Sequence, residues 1–261
     1  MKDLKILAVG CSMTQGHGLE YEQDDPQLWT NAIFESFGTV KNIAKPARNN
    51  HWIFLETLTE ITKNHYDIVL VAWSAIPRFN IHAGLELYPV LTRLERSVDV
   101  NVNPGVTYKA SWLNQIGDNL RRIHNDHWDT LDLVKYVNVL TRCQQTSGGK
   151  IFFVNTLLPW SPGYFDQKKI TLPSDLTEYE QDLLQAETRD DAEVLDLYNM
   201  IHSQYAQAGG IQESHWLNLY QSLRSMQIDH VSETDRHPGY LSQKKYVEYL
   251  SPILKTKMEP N

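Results

Sequence analysis

Several features that would place the protein at once are scarce in this sequence. It has two cysteines, Cys11 and Cys143, in 261 residues. Two isolated thiols make neither a disulfide framework nor a CxxC metal site, so a reducing compartment is expected. Long apolar runs are missing too. The longest, such as Ile68 to Trp73, are strand-length, far below the about 20 residues that a membrane helix needs. The chain opens Met1-Lys2-Asp3-Leu4-Lys5 and passes directly into a strand-like run, without the apolar region of a signal peptide. The expected location is therefore cytoplasmic, with no membrane partner. Positive charge is not in surplus: 24 Lys and Arg face 32 Asp and Glu, for a formal net charge of −8. Nucleic acid is not an expected partner of such a chain.

The acidity has an address. Between Asp175 and Asp196 lie nine acidic residues and one basic residue, Arg189, and the rest of the chain balances at 23 against 23. That segment reads as the solvated face of a helix. Outside it the charge argument against nucleic acid reduces to a lack of support. Aromatic residues are plentiful, with 13 Tyr, 7 Trp and 7 Phe, which excludes low-complexity disorder. At about 150 residues per domain the length suggests one or two domains. With no repeat and no low-complexity linker, one elaborated domain over 1–261 is the simpler expectation.

The pattern along the chain is that of an α/β protein. Leu4 to Val9 reads as a buried strand ending at Gly10, and Asp25-Pro26 as the start of a helix running to about Phe37. A second strand is expected from Val40 to Ala44. Asn49 or Asn50 caps a helix to about Asn64, with Trp52, Leu55, Leu58 and Ile61 on one face. Asp67 to Trp73 has the unbroken apolar character of a strand covered on both sides. This β-α-β-α-β order predicts a parallel sheet with right-handed crossovers. Residues 75–110, with Pro77, Pro89 and Pro104, read as loop, and 111–145 as two helices meeting near Asp129. A fourth strand spans Ile151 to Thr156, and Tyr240 to Leu254 forms a last helix. Two largely helical insertions, at about 80–150 and 160–230, interrupt the core.

Two segments carry chemistry. Gly10-Cys11-Ser12-Met13-Thr14-Gln15-Gly16-His17-Gly18 follows the first strand, and ligands of parallel sheets collect beyond strand carboxyl ends. Ser12 can present its hydroxyl there beside backbone N–H groups. A structural Gly-rich turn explains the segment as well. A phosphate cradle fits less, because the Lys-Ser/Thr of a P-loop and the GxGxxG spacing are both missing. In the second segment, Asp235-Arg236-His237-Pro238, a carboxylate two residues from an imidazole can fix its tautomer and stabilise its charged form. Alone it equally describes a turn before a helix.

Together the segments resemble the SGNH (GDSL-like) hydrolases, a family of esterases and deacetylases. The first block of that family, Gly-Asp-Ser-x-Thr-x-Gly, is similar to Gly10 through Gly16 with Cys11 in place of Asp. The second is similar to Asn42 through Asn50, with Ala47 in place of the oxyanion glycine. The last is similar to Asp235 through Pro238. The third departs: where the family has Gly-x-Asn-Asp, the chain reads Trp73-Ser74-Ala75-Ile76-Pro77-Arg78, with no Asn until Asn80.

The resemblance implies a three-layer α/β/α sandwich with a mainly parallel, flavodoxin-like sheet. It implies a serine hydrolase that forms an acyl-enzyme, with Ser12 as nucleophile, His237 as base and Asp235 as orienter. Oxyanion donors would be the N–H groups of Ser12 and Ala47, with Ser74 or Arg78 as a substitute for the missing Asn. Arg78, Trp73, Asn50 and Trp160 are candidates for substrate binding. No metal and no organic cofactor are implied. The expected substrate is an ester, with an O-acetyl or short acyl group on a carbohydrate as the favoured form. The oligomeric state is left open. Loss of one oxyanion donor typically costs about 10²–10³ in rate. That keeps a second reading in play, a glycan- or protein-binding module that retains the fold without the catalysis. A phosphate or nucleotide binder is a third.

Other features weigh less. Cys11 reads as buried filler rather than as a rival nucleophile. His124, Asp126, His127 and Asp129 have metal-ligand types at helical spacing but suit a solvated helix end better. Trp112, Trp128, Trp160 and Trp216 sit in or beside the insertions, where packing onto the core is commoner than a sugar cleft. Pro159 to Gly163 is placed as a wall beside the site.

Overall fold

A computed structural model of the protein describes residues 3–74, 78–83, 86–91, 100–103, 106–108, 126–157, 215–218 and 222–259, with backbone alone for the parts of 78–108 and for 126–131. In chain order the elements are β1 (Leu4–Val9), α1 (Ser12–Gln15), α2 (Trp29–Ala32), β2 (Gly38–Asn42), α3 (Asn50–Lys63) and β3 (Ile68–Trp73). There follow β4 (Arg78–Ala83), β5 (Glu86–Leu91), β6 (Val100–Asn103), β7 (Val106–Tyr108), α4 (Asp126–Ser147), β8 (Lys150–Asn155) and α5 (Tyr240–Met258).

Four strands form one parallel sheet in the order β2-β1-β3-β8. β1 is central: Ile6 pairs with Val40 on one side and with Ile68 on the other. The order reverses across β1, which makes its carboxyl end the switch point where α/β sheets bind ligands.

Period-2 alternation divides the strand residues between two cores. Ile6, Ala8, Ile68, Leu70, Ala72, Phe152 and Val154 pack with Trp29 of α2 and Tyr246, Leu250 and Leu254 of α5. Leu7, Val9, Val69, Val71, Trp73, Ile151 and Phe153 pack with Trp52 and Ile53 of α3 and Leu133, Val137 and Leu140 of α4. Burial of each large side chain contributes about 1.5–3 kcal/mol, so both helix layers are held firmly to the sheet. The result is the expected three-layer α/β/α arrangement with a flavodoxin-like strand order.

Some local expectations change. The stretch from Asp25 to Phe37 is α-helical only over Trp29–Ala32. Asp25 is spent elsewhere: one carboxylate oxygen accepts the Gln27 N–H (2.8 Å) and the other accepts the Tyr240 hydroxyl (2.6 Å). That anchors the turn to α5 in place of capping a long helix. In α3, Asn49 is the N-cap and accepts the Trp52 N–H at 2.8 Å, as expected. The buried face is Trp52, Ile53 and Thr57, however, and Leu55 is 44% exposed. Helical rotation of ~100° per residue puts position 55 on the far side of this face.

Within residues 75–110 the described segments are strands, not loop. β4 pairs with β5 and β6 with β7 as antiparallel hairpins, and Pro89 sits within β5 opposite Asn80. A proline is tolerated in a two-stranded ribbon because every strand there is an edge. α4 begins at Asp126 and carries Asp129 near its start, and the helix expected before it lies outside the described residues. The last helix extends to Met258, four residues beyond the expected end, with Pro252 inside it.

Candidate active site

The Gly-rich segment leaves β1 and turns at once into α1, with Cys11 as its N-cap and Ser12 as its first residue. Gly10 is required by close approach. A Cβ there would lie 2.2 Å from Thr14 Oγ1 and 3.0 Å from the Ala72 Cβ, so no side chain fits beneath the turn. The Thr14 and Gln15 N–H groups both donate to the Cys11 carbonyl at 3.0 Å. The Ser12 N–H has no acceptor among the described residues, as expected of a first-turn amide. Asn42, at the end of β2, fastens the turn from below: its Nδ2 donates to the Thr14 carbonyl at 2.7 Å. Cys11 is fully buried, with Sγ 3.6 Å from Thr156 Oγ1. Because the Thr156 hydroxyl donates to the Trp73 carbonyl at 2.6 Å, the Cys11 thiol must be the donor to Thr156, and its proton is engaged.

The chain after β2 bends over the same end of the sheet. Ile43 N–H donates to the Ala8 carbonyl (2.9 Å) and Lys45 N–H to the Gly10 carbonyl (3.2 Å). Ala47 then adopts φ +60°, a left-handed conformation that residues with a Cβ adopt at a cost of about 1–3 kcal/mol. The backbone thus takes the glycine conformation without the glycine. Lys45 Nζ and the Arg48 guanidinium lie 5.7 Å and 5.1 Å from the Trp52 ring centre, giving this rim positive charge.

Beyond β3 the chain is built differently. Asn50, at the start of α3, accepts the Ser74 N–H (2.8 Å) and donates to the Ser74 carbonyl (3.2 Å). Both residues are buried, and Ser74 Oγ has no hydrogen-bond partner. Asn50 is therefore a clamp on the β3 terminus, not an exposed ligand-binding amide. Trp73, another substrate-binding candidate, is 1% exposed and stacked on Phe153 at 6.0 Å between ring centres; it belongs to the core. Trp216 is also buried against Phe153, which is the packing role expected of it. Arg78 opens β4, but its side chain, like that of Trp128, is outside what is described. Trp112, Trp160, His124, Pro159 to Gly163 and the acidic segment from Asp175 to Asp196 also lie outside the described residues.

The second segment forms a braced loop before α5. The Asp229 carboxylate accepts the Leu241 and Ser242 N–H groups (3.0 and 2.8 Å), capping the first turn of that helix. The Gln227 amide donates to the Asp229 and Arg236 carbonyls (3.0 and 2.8 Å), and Val231 N–H donates to the His237 carbonyl (2.9 Å). Within this loop His237 Nδ1 is 2.5 Å from Asp235 Oδ1, which also accepts the His237 N–H at 3.0 Å. Burial raises the Asp235 pKa, but the His237 backbone N–H, the His237 ring and the nearby imidazole charges outweigh it. The carboxylate is held below its ordinary range. An ionised Asp235 fixes the proton of His237 on Nδ1 and leaves Nε2 free to accept one.

The two segments meet through His17 and Gly18. The His17 ring lies edge-on to His237 with 4.8 Å between centres, and the His17 N–H donates to the Ser12 carbonyl at 3.1 Å. Gly18 has φ +84°, and a Cβ there would be 2.8 Å from Asp235 Oδ2. Among the described residues no hydrogen bond joins Ser12 Oγ to His237. His17, Asp235 and His237 together offer donor atoms within 4.8 Å of one another. The sequence reasoning assigned no role to His17, Asn42, Gln227 or Asp229; each acts through loop packing that only the fold creates.

No known family model matches the chain, and no curated protein matches it. Among solved structures it is similar to the psychrotrophic esterase EstA from Pseudoalteromonas sp., at 11% identity and a TM-score of 0.47, covering 97% of this chain and 98% of that one. It is also similar to TesA (13% identity, TM-score 0.44, 97% and 99% covered). A lipolytic protein of the G-D-S-L family from Veillonella parvula is similar at 9% identity and a TM-score of 0.43, with 96% and 98% covered.

Proposed function

We propose that the protein is a serine hydrolase that cleaves an ester by way of an acyl-enzyme. The observation that carries this reading is the Asp235–His237 pair, 2.5 Å from carboxylate to Nδ1, packed on the loop that follows Ser12. In the proposed reaction His237 Nε2 takes the Ser12 hydroxyl proton as Oγ attacks the ester carbonyl. Asp235 stabilises the imidazolium that results. The oxyanion is met by the N–H groups of Ser12 and Ala47, with the Ser74 hydroxyl as third donor. His237 returns the proton to the leaving alcohol; water, deprotonated by the same imidazole, then attacks the acyl-enzyme, and that proton passes to Ser12 Oγ as the acid leaves.

The substrate class follows the same proposal: a short acyl ester, O-acetyl foremost, on a carbohydrate alcohol. A cytoplasmic setting is part of it, supported by two free cysteines. No helix among the described residues is long and apolar enough to cross a membrane.

The purified chain is assayed with p-nitrophenyl acetate and with O-acetylated oligosaccharides beside Ser12→Ala, and a fluorophosphonate probe is mapped by peptide mass. The expected result is hydrolysis by the wild type alone, with the probe on Ser12. Equal rates for the two proteins, or an unlabelled Ser12, would overturn the reading and favour a binding module.

A further inference from the structure

His17 has no part in the proposed triad, yet it stands against it. Its ring meets that of His237 edge-on, and its Nδ1 is buried without a hydrogen-bond partner, 3.6 Å from the Glu22 carboxylate. Two imidazoles and a carboxylate thus converge, one donor atom from each within 4.8 Å of the others. The residues come from two distant parts of the chain, brought together by the close fit of Gly18 on Asp235.

From this convergence we infer that His17, Asp235 and His237 form a binding site for a divalent transition-metal ion of the zinc type, and that the bound ion switches the hydrolase off. The donor set of two imidazole nitrogens and one carboxylate oxygen is of the kind zinc takes. Bond lengths of about 2.0–2.2 Å set donor separations of about 3.3–3.5 Å in a tetrahedral site. From within 4.8 Å, side-chain rotations of about an ångström reach that separation, with the 2.5 Å Asp235–His237 contact opening where those two atoms are the donors. All three side chains are partly exposed, His237 and Asp235 at 30% and His17 at 41%, so an ion can reach them from solvent. Three protein donors leave a fourth position for water, and the Glu22 carboxylate beside His17 Nδ1 adds negative charge behind the site.

The consequence for catalysis, which rests on the hydrolase reading, does not depend on which His237 nitrogen binds. Coordination through Nε2 occupies the lone pair that must accept the Ser12 proton. Coordination through Nδ1 puts the remaining ring proton on Nε2 and again removes the base.

The test is isothermal titration of the EDTA-treated full chain with zinc chloride, alongside hydrolysis of p-nitrophenyl acetate with zinc and after excess EDTA. Expected are one ion per chain, a zinc-dependent rise in melting temperature, and inhibition that EDTA reverses. His17→Gln is expected to weaken zinc binding at least about 10-fold and to shift the inhibition curve by the same factor, each protein being compared with its own metal-free rate. Its metal-free melting temperature establishes that it is folded. Absence of zinc binding up to millimolar concentration overturns the proposal, as does unchanged affinity in folded His17→Gln. Because calorimetry reads binding directly, the two proposals fail separately. An inactive wild type that binds zinc through His17 sinks the hydrolase and with it the switch but leaves the metal site, and an active wild type indifferent to zinc sinks the metal site alone.

Discussion

The carboxyl ends of β1 and β3 lie side by side in one sheet and are finished in opposite ways. At the end of β1 the backbone does the shaping: Gly10 lets the chain fold back within van der Waals range of Thr14, and the Ser12 N–H is left without an acceptor. At the end of β3 side chains do it: Asn50 grips both polar backbone groups of Ser74, and Trp73 is sealed against Phe153. The first end keeps polar groups available; the second satisfies its backbone and leaves a single hydroxyl, Ser74 Oγ, unpaired. On the proposed reading, the terminus that presents Ser12 needs a tight turn that no side chain obstructs. A terminus that only has to hold position can be secured by an amide. The difference between them sets out which substitutions should stop chemistry and which should loosen the fold.

The largest effect belongs to the β1 side. Ser12→Ala and His237→Ala are each expected to lower kcat/KM by at least about 10³-fold, and the double variant no further, because groups that act as a unit are not additive. Rates of all four proteins on one ester check this, and a double variant much slower than either single one would separate the two residues. Next comes Ser74→Ala, expected to lower kcat about 10²-fold with KM little changed if its hydroxyl meets the oxyanion. Unchanged kcat would make the β3 end purely structural. Asn50→Ala acts on stability instead, by about 1–3 kcal/mol in urea denaturation, since two buried backbone groups of Ser74 lose their partner. Gly10→Ala sits between these ends of the comparison. Its Cβ would press on Thr14 and Ala72, and overpacking of this kind costs about 1–3 kcal/mol with displacement of Ser12.

How much of this was legible in the sequence differs between the same two ends. β1 and its turn follow from a strict apolar run, a glycine and a serine, all local signals, and β1 is found at Leu4–Val9 as expected. The apolar strands of the sheet were legible for the same reason: burial on both faces leaves uninterrupted runs. The role of Asn50 was not legible, because its partner Ser74 is 24 residues away and the pair is made only when α3 packs on β3. The hairpins β4–β5 and β6–β7 were read as loop because prolines argue against central strands, and two-stranded ribbons escape that rule. The meeting of His17 with His237 depends on a loop-on-loop contact over 220 residues of chain, for which no local pattern exists.

The smallest effect tests the frame that carries His237. Asp229 holds the start of α5 through the N–H groups of Leu241 and Ser242 and through the Ser242 hydroxyl, and it thereby fixes the loop that ends in His237. Burial raises its pKa, but these hydrogen bonds from Ser242 and Leu241 and the charge of His230 outweigh that, so the native value lies below the ordinary one. A carboxyl depressed in the native state adds stability that is complete above its unfolded pKa of about 3.9 and disappears as pH falls through the native value. Asp229→Asn keeps one acceptor and loses the charge, so it is expected to cost about 0.5–1 kcal/mol at pH 7. Melting curves from pH 7 to about 2.5 should then show the wild type losing stability more steeply than the variant below about pH 4, with the two converging at the acid end. Parallel curves would mean that the ionisation of Asp229 does not steady the loop that carries His237, and that its bracing rests on neutral hydrogen bonds such as those from Gln227 and the Val231 N–H.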